Sequence, residues 1–419
     1  MNVDPFRTAY TISPFYLYSV FFSLFVSIVR PGEFITAFSN AKLVPLSMIL
    51  TCLAFLSFGG LQSFRKKTYN GLKPTFFLLF LGSVSIFFSV WPGQSFKTWW
   101  SVLLINTLLL LFWLPVGTHP ARLRSMVALL ACTAGTLALV LLFLDPAVLD
   151  SGRLQIEGST YDPNDLAFIL ASLFPFVVFL FLTAGMKGRL LWGALLVCLL
   201  LGLFKTGSRG GILALVVAGI LLVLLPSRRG IRGWFKCVFV LLVVAFFLSP
   251  VTETVKERWR EVLSGEDYNF SQADESGAGR LDRWRSGAKL FLANPVTGVG
   301  LGNSGTALGL ETKNWLTIHN SYLQVGMELG VAGLLLFFSL LWTIWRNCTL
   351  AIEVLDKRKV EGPLILLAAA TRIALVAYMM GAFFLSQAYS ILVPVLLILS
   401  NGVYHAAEST EQEQGHAYE

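Results

Sequence analysis

The sequence predicts an all-α integral membrane protein with about twelve transmembrane helices and one large polar loop outside the membrane. Of its 419 residues, 55% are hydrophobic and only 13% are charged, and the mean hydropathy is +0.70. Soluble domains contain about 25% charged residues, so this chain has too few polar side chains to cover a water-facing globule of its size. Repeated long apolar runs indicate instead that most of the surface faces lipid.

Twelve apolar runs can be counted along the chain. A spanning helix needs roughly 17–25 residues, and most of the runs reach that length. Runs seven and eight are short and are joined by the sequence KTGSRGG. The N-terminal sequence MNVDPFRTAY lacks the basic start and the cleavage site of a signal peptide, so the first run is expected to remain as a helix. The runs lie near residues 14–29, 43–58, 75–91, 99–116, 125–144, 166–184, 190–204, 211–225, 234–249, 321–345, 363–385 and 388–404.

The charges of the connecting loops predict the orientation. The N-terminal tail and the loops after even-numbered runs contain 17 Lys and Arg residues, whereas the short loops after odd-numbered runs contain 6. Because the excess of basic residues lies on the cytoplasmic side, both termini are predicted to be cytoplasmic. The six basic residues of these short outer loops are Arg30, Lys42, Lys97, Arg153, Lys205 and Arg209.

Composition also excludes several classes of partner and cofactor. The formal net charge is +8, but the basic residues form small groups between apolar runs and no stripe with interleaved aromatics, so a nucleic-acid partner is excluded and membrane lipids are expected. The five scattered cysteines form no CxxC pair and are interpreted as small apolar residues. No DxD pair in an outer loop, HExxH motif or Walker sequence is present, so no metal or soluble cofactor is predicted.

The apolar runs divide the chain into four segments. The predicted organisation is transmembrane helices one to nine in residues 1–249, an outer loop in 250–320, transmembrane helices ten to twelve in 321–404 and a cytoplasmic tail in 405–419. A loop of that length is usually functional or disordered.

The predicted outer loop has its own pattern. Two segments, 251–263 and 280–293, place apolar residues along one stripe and predict amphipathic helices, which can lie on a bilayer surface. The polar stretch between these helices is expected to be flexible. The glycine-rich residues 294–305 predict a structured turn region.

Arg209 in TGSRGG is the first candidate functional residue, at the outer mouth between runs seven and eight. An arginine at the centre of a membrane helix costs roughly 2.5–3.5 kcal/mol on insertion scales. The simplest structural interpretation is snorkelling of the side chain to lipid headgroups. The adjoining Ser208, Gly210 and Gly211 favour a ligand site, and Ser208 is a candidate for substrate binding.

Arg280 in GRLDRW opens the second predicted loop helix, and Arg283 and Arg285 follow it. Arg283 lies three residues on and shares a face with Arg280, whereas Arg285 points elsewhere. Such basic clusters are often simply solvated or lipid-facing. If they are functional, they would bind a diphosphate, because the planar guanidinium fork suits phosphate oxygens.

His319 is the only histidine on the predicted outer face. Asn320 or Ser321 can cap the following helix, and Asn320 is also a candidate for substrate binding. The positive end of the helix dipole disfavours an imidazolium there, so a neutral imidazole could accept a proton. A packing or hydrogen-bonding role at a helix start is the alternative for a lone histidine.

Two acidic positions remain open to interpretation. Asp162, Pro163 and Asn164 form a predicted turn, and either Asn164 or Asp165 is expected to cap run six rather than to belong to a cation loop. Glu328 lies within run ten, two turns below the histidine, where it could orient a polar network or pair with an arginine.

The motifs together resemble the O-antigen ligase family. The resemblance rests on TGSRGG after a short helix, GRLDRWRSGAKLFLANPVTGVGLGNSG in a large outer loop, IHNSYLQVGMELGVAGLLLF entering the next span, and DPNDLA before run six. These motifs cover roughly residues 160–340, and the order and spacing of the four are more specific than any one of them.

The resemblance implies a glycosyltransferase of the bacterial inner membrane, active at the periplasmic face without a metal. It would move O-antigen polysaccharide from undecaprenyl diphosphate to lipid A–core, with Arg209, Arg280 and His319 as catalytic residues. Inversion of the anomeric centre is expected because the acceptor attacks opposite the diphosphate. O-antigen polymerase and protein O-oligosaccharyltransferase are the alternatives within the superfamily. A lipid-linked glycan flippase is the alternative from a different class, although no internal repeat supports it.

Overall fold

The computed structural model describes residues 13–143, 162–225 and 277–415, apart from 34, 36–37, 39–40, 58–59, 66–67, 314, 316 and 361. Within these ranges the regular structure is helical. The helices are α1 Pro14–Val29, α2 Leu43–Ser57, α3 Gly60–Arg65, α4 Leu72–Phe88, α5 Pro92–Gly117, α6 Pro120–Phe143, α7 Pro163–Thr183, α8 Met186–Lys205, α9 Arg209–Leu224, α10 Gly277–Ala293, α11 Ser304–Thr312, α12 Ser321–Lys357, α13 Pro363–Ala382 and α14 Leu392–Gly415.

The prediction of an all-helical, multi-pass membrane protein is confirmed. Among the described residues, 6 helices (α5, α6, α7, α8, α12 and α13) are long and apolar enough to cross a membrane, and α1, α2, α4 and α9 are shorter apolar helices. Every predicted run except the ninth coincides with a described helix. Run nine (234–249) and the first loop helix (251–263) lie outside the described residues, so the count of twelve spans stays a prediction.

Two helices extend further than the apolar pattern predicts. Run seven is not short, because α8 extends beyond residues 190–204 at both ends and has a length of 20 residues. Likewise, α14 continues through residues 405–415, which the sequence pattern assigns to a tail. In both cases the helix continues past its apolar segment into polar residues, where composition no longer marks it but the backbone ladder can still propagate.

The centre of the bundle is α7, which is packed by α6, α8, α9 and α13. Within its most apolar 18-residue window, 83% of α7 is buried inside the protein, compared with 22% of α8. The sequence of an apolar helix that is surrounded by protein has the same pattern as that of a helix facing lipid. The structure therefore places the N-terminus of α7, with its DPND sequence, in the middle of the bundle.

Asparagines join α4, α12 and α14 at the end of the bundle opposite the candidate site described below. The Asn70 side-chain amide donates to Asn347 Oδ1 at 2.8 Å, and the Asn70 backbone N–H donates to Asn401 Oδ1 at 2.8 Å. Asn401 Nδ2 returns a bond to the Asn70 carbonyl at 3.0 Å. Such side-chain bonds hold helices together where the apolar surroundings provide no alternative partner.

Residues 294–303, the part of the predicted turn region 294–305 that precedes the next helix, cross α12 where that helix kinks at Gly330, whose φ is +66°. The N–H groups of Val299 and Gly300 donate to two carbonyls of α12, at 2.7 and 3.1 Å. The N–H of Val331, which would bond to the first of these carbonyls in a straight helix, donates instead to a carbonyl of the turn at 2.8 Å. The kink thus exchanges helix bonds for bonds to the turn. A short helix, α11, follows that the sequence pattern does not predict.

Gly330→Ala is expected to destabilise the protein more than Gly207→Ala. Both glycines have a positive φ (+66° and +63°), so the backbone strain of about 1 kcal/mol or more is shared. A Cβ at residue 330 would lie 2.5 Å from the Pro295 carbonyl oxygen, whereas none of the atoms described lies within 4 Å at residue 207. Thermal unfolding in detergent measures the difference. Equal unfolding temperatures for the two variants would contradict the close packing of the turn on α12.

Candidate active site

His319 lies immediately before α12, at the end of the bundle where the N-termini of α7, α9 and α12 meet. Asn320 caps α12 as predicted, because its Oδ1 accepts the Leu323 N–H at 2.9 Å. His319 has a φ of +48°, a left-handed conformation that residues other than glycine seldom adopt. Its Nε2 lies 2.8 Å from Thr317 Oγ1, and the tautomer decides which of the two donates. The half-buried imidazole therefore has a fixed backbone and a hydroxyl neighbour.

The loop of residues 383–390 between α13 and α14 holds this histidine in place. The His319 N–H donates to Ser386 Oγ at 3.0 Å. The Gln387 N–H in turn donates to Ser321 Oγ at 2.9 Å. These bonds engage the residues before and after the Asn320 cap, so the 383–390 loop holds the start of α12 in place.

The start of α7 also contacts the 383–390 loop. Asp162 caps α7, with its Oδ1 accepting the Asp165 N–H at 2.8 Å, so the expectation that Asn164 or Asp165 is the cap is wrong. Pro163 occupies the first helical position, which places the cap one residue earlier. Asp165 Oδ1 accepts a bond from Gln387 Nε2 at 2.7 Å, and Asn164 Oδ1 accepts one from Ser208 Oγ at 2.9 Å. Asn164 thus joins α7 to the start of α9, and Asp165 joins α7 to the 383–390 loop.

Arg209 is the first residue of α9, and it is half-buried. Ser208 is the N-cap and accepts the Gly211 N–H at 3.2 Å, so this predicted substrate-binding residue has a structural role in the described contacts. Gly210 packs on the 383–390 loop so closely that a Cβ there would lie 3.2 Å from Phe384 Cβ. The backbone that carries Arg209 therefore lies directly against the loop that holds His319.

The predicted second loop helix is confirmed as α10. Its three arginine side chains differ in solvent exposure. Arg280 and Arg283 are half-buried and their Nε atoms are inaccessible to water. The Arg285 side chain is 66% exposed and forms a 3.0 Å ion pair with Asp282. The face shared by Arg280 and Arg283 therefore turns toward the protein, while Arg285 turns away.

Trp284 anchors α10, one helical turn after Arg280. Its ring lies 5.1 Å from that of Phe383 and 6.5 Å from that of Phe384. Its Nε1–H donates to the Ile318 carbonyl at 3.0 Å, next to the histidine. The structure therefore brings the backbone segments bearing Arg209, Arg280 and His319 to one place, around Phe383 and Phe384.

Glu328 is a buried carboxyl of α12 that takes part in a polar network, which is one of the two roles predicted for it. Its Oε1 accepts from Ser304 Oγ at 2.7 Å, which ties α12 to the start of α11. The second oxygen makes no hydrogen bond within the described part of the chain. Burial raises the pKa of the Tyr389 hydroxyl well above its usual value, and the neighbouring Glu328 carboxyl raises it further.

Sequence reasoning missed the residues of the 383–390 loop. The signal available was the polar stretch SQAYS between two apolar runs, which looks like an ordinary short connection. The loop matters because of its hydrogen bonds to residues far away in the sequence. Asp165 accepts a bond from Gln387, and Asn106 Nδ2 donates to the Tyr389 carbonyl at 2.7 Å. Within the described ranges, no three His, Cys, Asp or Glu residues are grouped to hold a metal ion, and metal independence stays a prediction.

Thr317→Val is expected to slow any reaction in which His319 takes part by about 3- to 10-fold, the worth of one hydrogen bond. The isosteric valine fills the same space but cannot form the hydrogen bond to His319 Nε2. Thr317→Ser should restore the rate since it keeps the hydroxyl. Steady-state turnover as a function of pH is the measurement, and the valine variant should also change the shape of the profile. A valine variant with an unchanged rate and profile would contradict a positioning role for Thr317.

These features define an all-helical, multi-pass membrane protein with a histidine and half-buried arginines gathered at one end of the bundle. Residues 194–338 match the sequence profile of the O-antigen ligase family. The matched segment contains Arg209, Arg280 and His319, so the resemblance inferred from the motifs is confirmed for this part of the chain.

A protein of Rickettsia conorii is also similar to this chain. It carries the name "Putative polysaccharide ligase" and is 28% identical over 176 residues. The alignment spans 39% of this chain and 41% of that protein. The similarity thus covers less than half of either protein.

Proposed function

We propose that this protein is a glycosyltransferase that moves O-antigen polysaccharide from undecaprenyl diphosphate to lipid A–core. The reaction would take place at the periplasmic face of the bacterial inner membrane, with both termini cytoplasmic. The observation that carries the proposal is the junction at Phe383 and Phe384, where the segments bearing Arg209, Arg280 and His319 meet. Loop charge supports the orientation, since these residues all follow odd-numbered runs.

The donor chemistry requires a cationic site. When the acceptor oxygen bonds to the anomeric carbon, the bond from that carbon to the diphosphate oxygen breaks, and undecaprenyl diphosphate leaves with the electron pair. Preorganised positive charge at the leaving oxygen lowers the barrier to this step. Arg209 and Arg280 would supply it, and Arg283 shares the half-buried face of α10. Of the other predicted binding residues, Asn320 is a helix cap and Arg285 is an exposed ion-pair partner.

The acceptor chemistry requires a base. His319 would take the proton of the attacking hydroxyl, and attack from the side opposite the diphosphate inverts the anomeric centre. No soluble cofactor or metal is needed in this scheme. The polyprenyl chain would lie against apolar helix surface near α9, where its hydrocarbon replaces membrane lipid at little cost.

Purified protein mixed with lipid-linked O-antigen and lipid A–core tests the proposal. Glycan attached to lipid A–core, visible as slower bands on a gel, is the expected product. Glycan lengthened on its own carrier would identify a polymerase, and glycan on added protein would identify a protein O-oligosaccharyltransferase. Movement of the donor across vesicle membranes without any new glycosidic bond would favour the flippase and overturn the enzyme proposal.

A further inference from the structure

An arginine is stacked on a tryptophan between α12 and α13, away from the candidate active site. Arg372 lies near the middle of α13, whose other residues are uncharged. Its Cζ atom is 3.9 Å from the centre of the Trp345 ring of α12. Charged side chains in membrane-spanning helices are rare because they are costly to insert, and they indicate functional sites by default. Arg372 therefore needs an explanation that the candidate active site does not provide.

The hydrogen-bonded asparagines locate the stacked pair along the bundle. Trp345 lies two residues before Asn347, which accepts the Asn70 amide at 2.8 Å at the end opposite the candidate active site. Lys73, three residues after Asn70, is exposed, as basic side chains are where a helix meets water. α12 has 37 residues, which is about 55 Å of helix and more than the roughly 30 Å of a bilayer core. Because such a helix leaves the hydrocarbon before it ends, the stacked pair lies near the lipid–water boundary at this end.

The surface around the stacked pair is aromatic and positively charged. Trp342 is 64% exposed, and Arg346 is exposed as well. Because residues 345 and 346 follow Trp342 by three and four positions, all three lie on one side of α12. The sequence of α12 has no Asp or Glu between Glu328 and Glu353, and that of α13 has none. This surface, the arginine–tryptophan patch, consists of Trp342, Trp345, Arg346 and Arg372.

The chemistry of the arginine–tryptophan patch suits a phosphate that is carried by a lipid. Stacking occupies a face of the Arg372 guanidinium, whereas the N–H groups lie in its plane, the arrangement that fits two phosphate oxygens. Tryptophan is enriched at the level of lipid headgroups because its ring is apolar and its N–H is polar. The largely exposed Trp342 offers an apolar surface to acyl chains. A soluble phosphate compound would leave that surface without a contact.

We propose that the arginine–tryptophan patch binds the headgroup phosphate of an anionic phospholipid. Arg346 and Arg372 would contact the phosphate, while Trp342 and Trp345 would lie against the glycerol and the first part of the acyl chains. The loop charges predict that this lipid belongs to the cytoplasmic leaflet. Because the two arginines come from different helices, the bound lipid would hold α12 against α13. The site is separate from the proposed glycan transfer, whose residues lie at the opposite end of the bundle.

Native mass spectrometry of the purified full-length protein in an uncharged detergent tests this site. Phosphatidylglycerol is titrated, and its Kd is obtained from the fraction of protein that carries one lipid. Arg346→Gln and Arg372→Gln are each expected to raise this Kd about fivefold, as the loss of one basic side chain near an anionic headgroup does. Arg372→Lys should recover part of the affinity, because lysine keeps the charge but not the planar fork. Phosphatidylcholine, whose headgroup has no net charge, should bind wild type and every variant alike.

Arg124→Gln is the matched control, because Arg124 is an exposed arginine at the same end of the bundle. The preceding Leu123 packs closely on Gly402, which follows Asn401 of the asparagine contacts. The Arg124 side chain lies against α7, with Nη2 3.4 Å from the Thr183 carbonyl oxygen. Its replacement should leave the Kd for phosphatidylglycerol nearly unchanged. Equal losses of affinity in Arg124→Gln and Arg346→Gln would mean that total charge attracts the lipid, and the proposed site would be wrong.

The exposed position of Arg346 keeps the test decisive. If Arg372→Gln does not fold, an unchanged Kd in Arg346→Gln still overturns the proposal, because replacing an exposed side chain leaves the helix packing intact. Trp345→Leu keeps both arginines but removes the stacking ring, and it should also raise the Kd. Inorganic phosphate at the concentration of the lipid should not displace phosphatidylglycerol. Displacement would identify a site for phosphate alone and would contradict the assignment to a lipid.

Discussion

His319→Asn is expected to lower the rate of glycan transfer by about 10²- to 10⁴-fold, the usual worth of a general base. Asparagine is chosen because it tolerates the left-handed backbone that residue 319 adopts, with φ +48°. The variant should therefore keep the bond from its N–H to Ser386 Oγ and the start of α12. The measurement is initial transfer rate with purified lipid-linked glycan and lipid A–core.

The control for this variant separates chemistry from folding and from donor binding. Undecaprenyl diphosphate should raise the unfolding temperature of His319→Asn as much as that of wild type, because the histidine does not face the leaving group in this scheme. If His319→Asn retains more than about a tenth of the wild-type rate, the histidine is not the base. A lost response to undecaprenyl diphosphate would instead move His319 to the donor site.

Arg280→Ala is expected to reduce transfer by about 10²- to 10³-fold, as the loss of one preorganised charge at a leaving group does. Arg285→Ala provides a matched control, since it removes an arginine from the same helix. The Arg285 side chain is 66% exposed and pairs with Asp282, so its removal should change the rate little. Initial rates and the stabilisation by undecaprenyl diphosphate are measured for both variants.

The two arginine variants should differ in donor binding as well as in rate. Arg280→Ala should lose most of the stabilisation by undecaprenyl diphosphate, whereas Arg285→Ala should keep it. Arg280→Lys should recover part of the rate, because lysine keeps the charge but not the bidentate fork. Equal losses in the two alanine variants would mean that α10 acts through its overall charge. That result would contradict a specific role for the half-buried face.

The site could be predicted from the sequence where the chemistry and the local pattern agree. TGSRGG contains an arginine, which is costly to place near the membrane interior, next to an apolar run. The histidine before α12 is a reactive residue next to another apolar run. The kink at Gly330 and the helix α11 carry no such mark, because they depend on the turn of residues 294–303 lying across α12. The capping residue of α7 was misassigned by two or three positions because several residues in DPND can cap.

The sequence by itself determined the helical membrane class and its resemblance to the O-antigen ligase family. Both follow from local composition and short motifs, which are independent of how helices pack. Only the tertiary structure decided that the 383–390 loop joins the segments of Arg209, Arg280 and His319. Contacts between residues 319 and 386, or 165 and 387, are long-range, and apolar helices leave no pattern in the sequence that selects one partner over another.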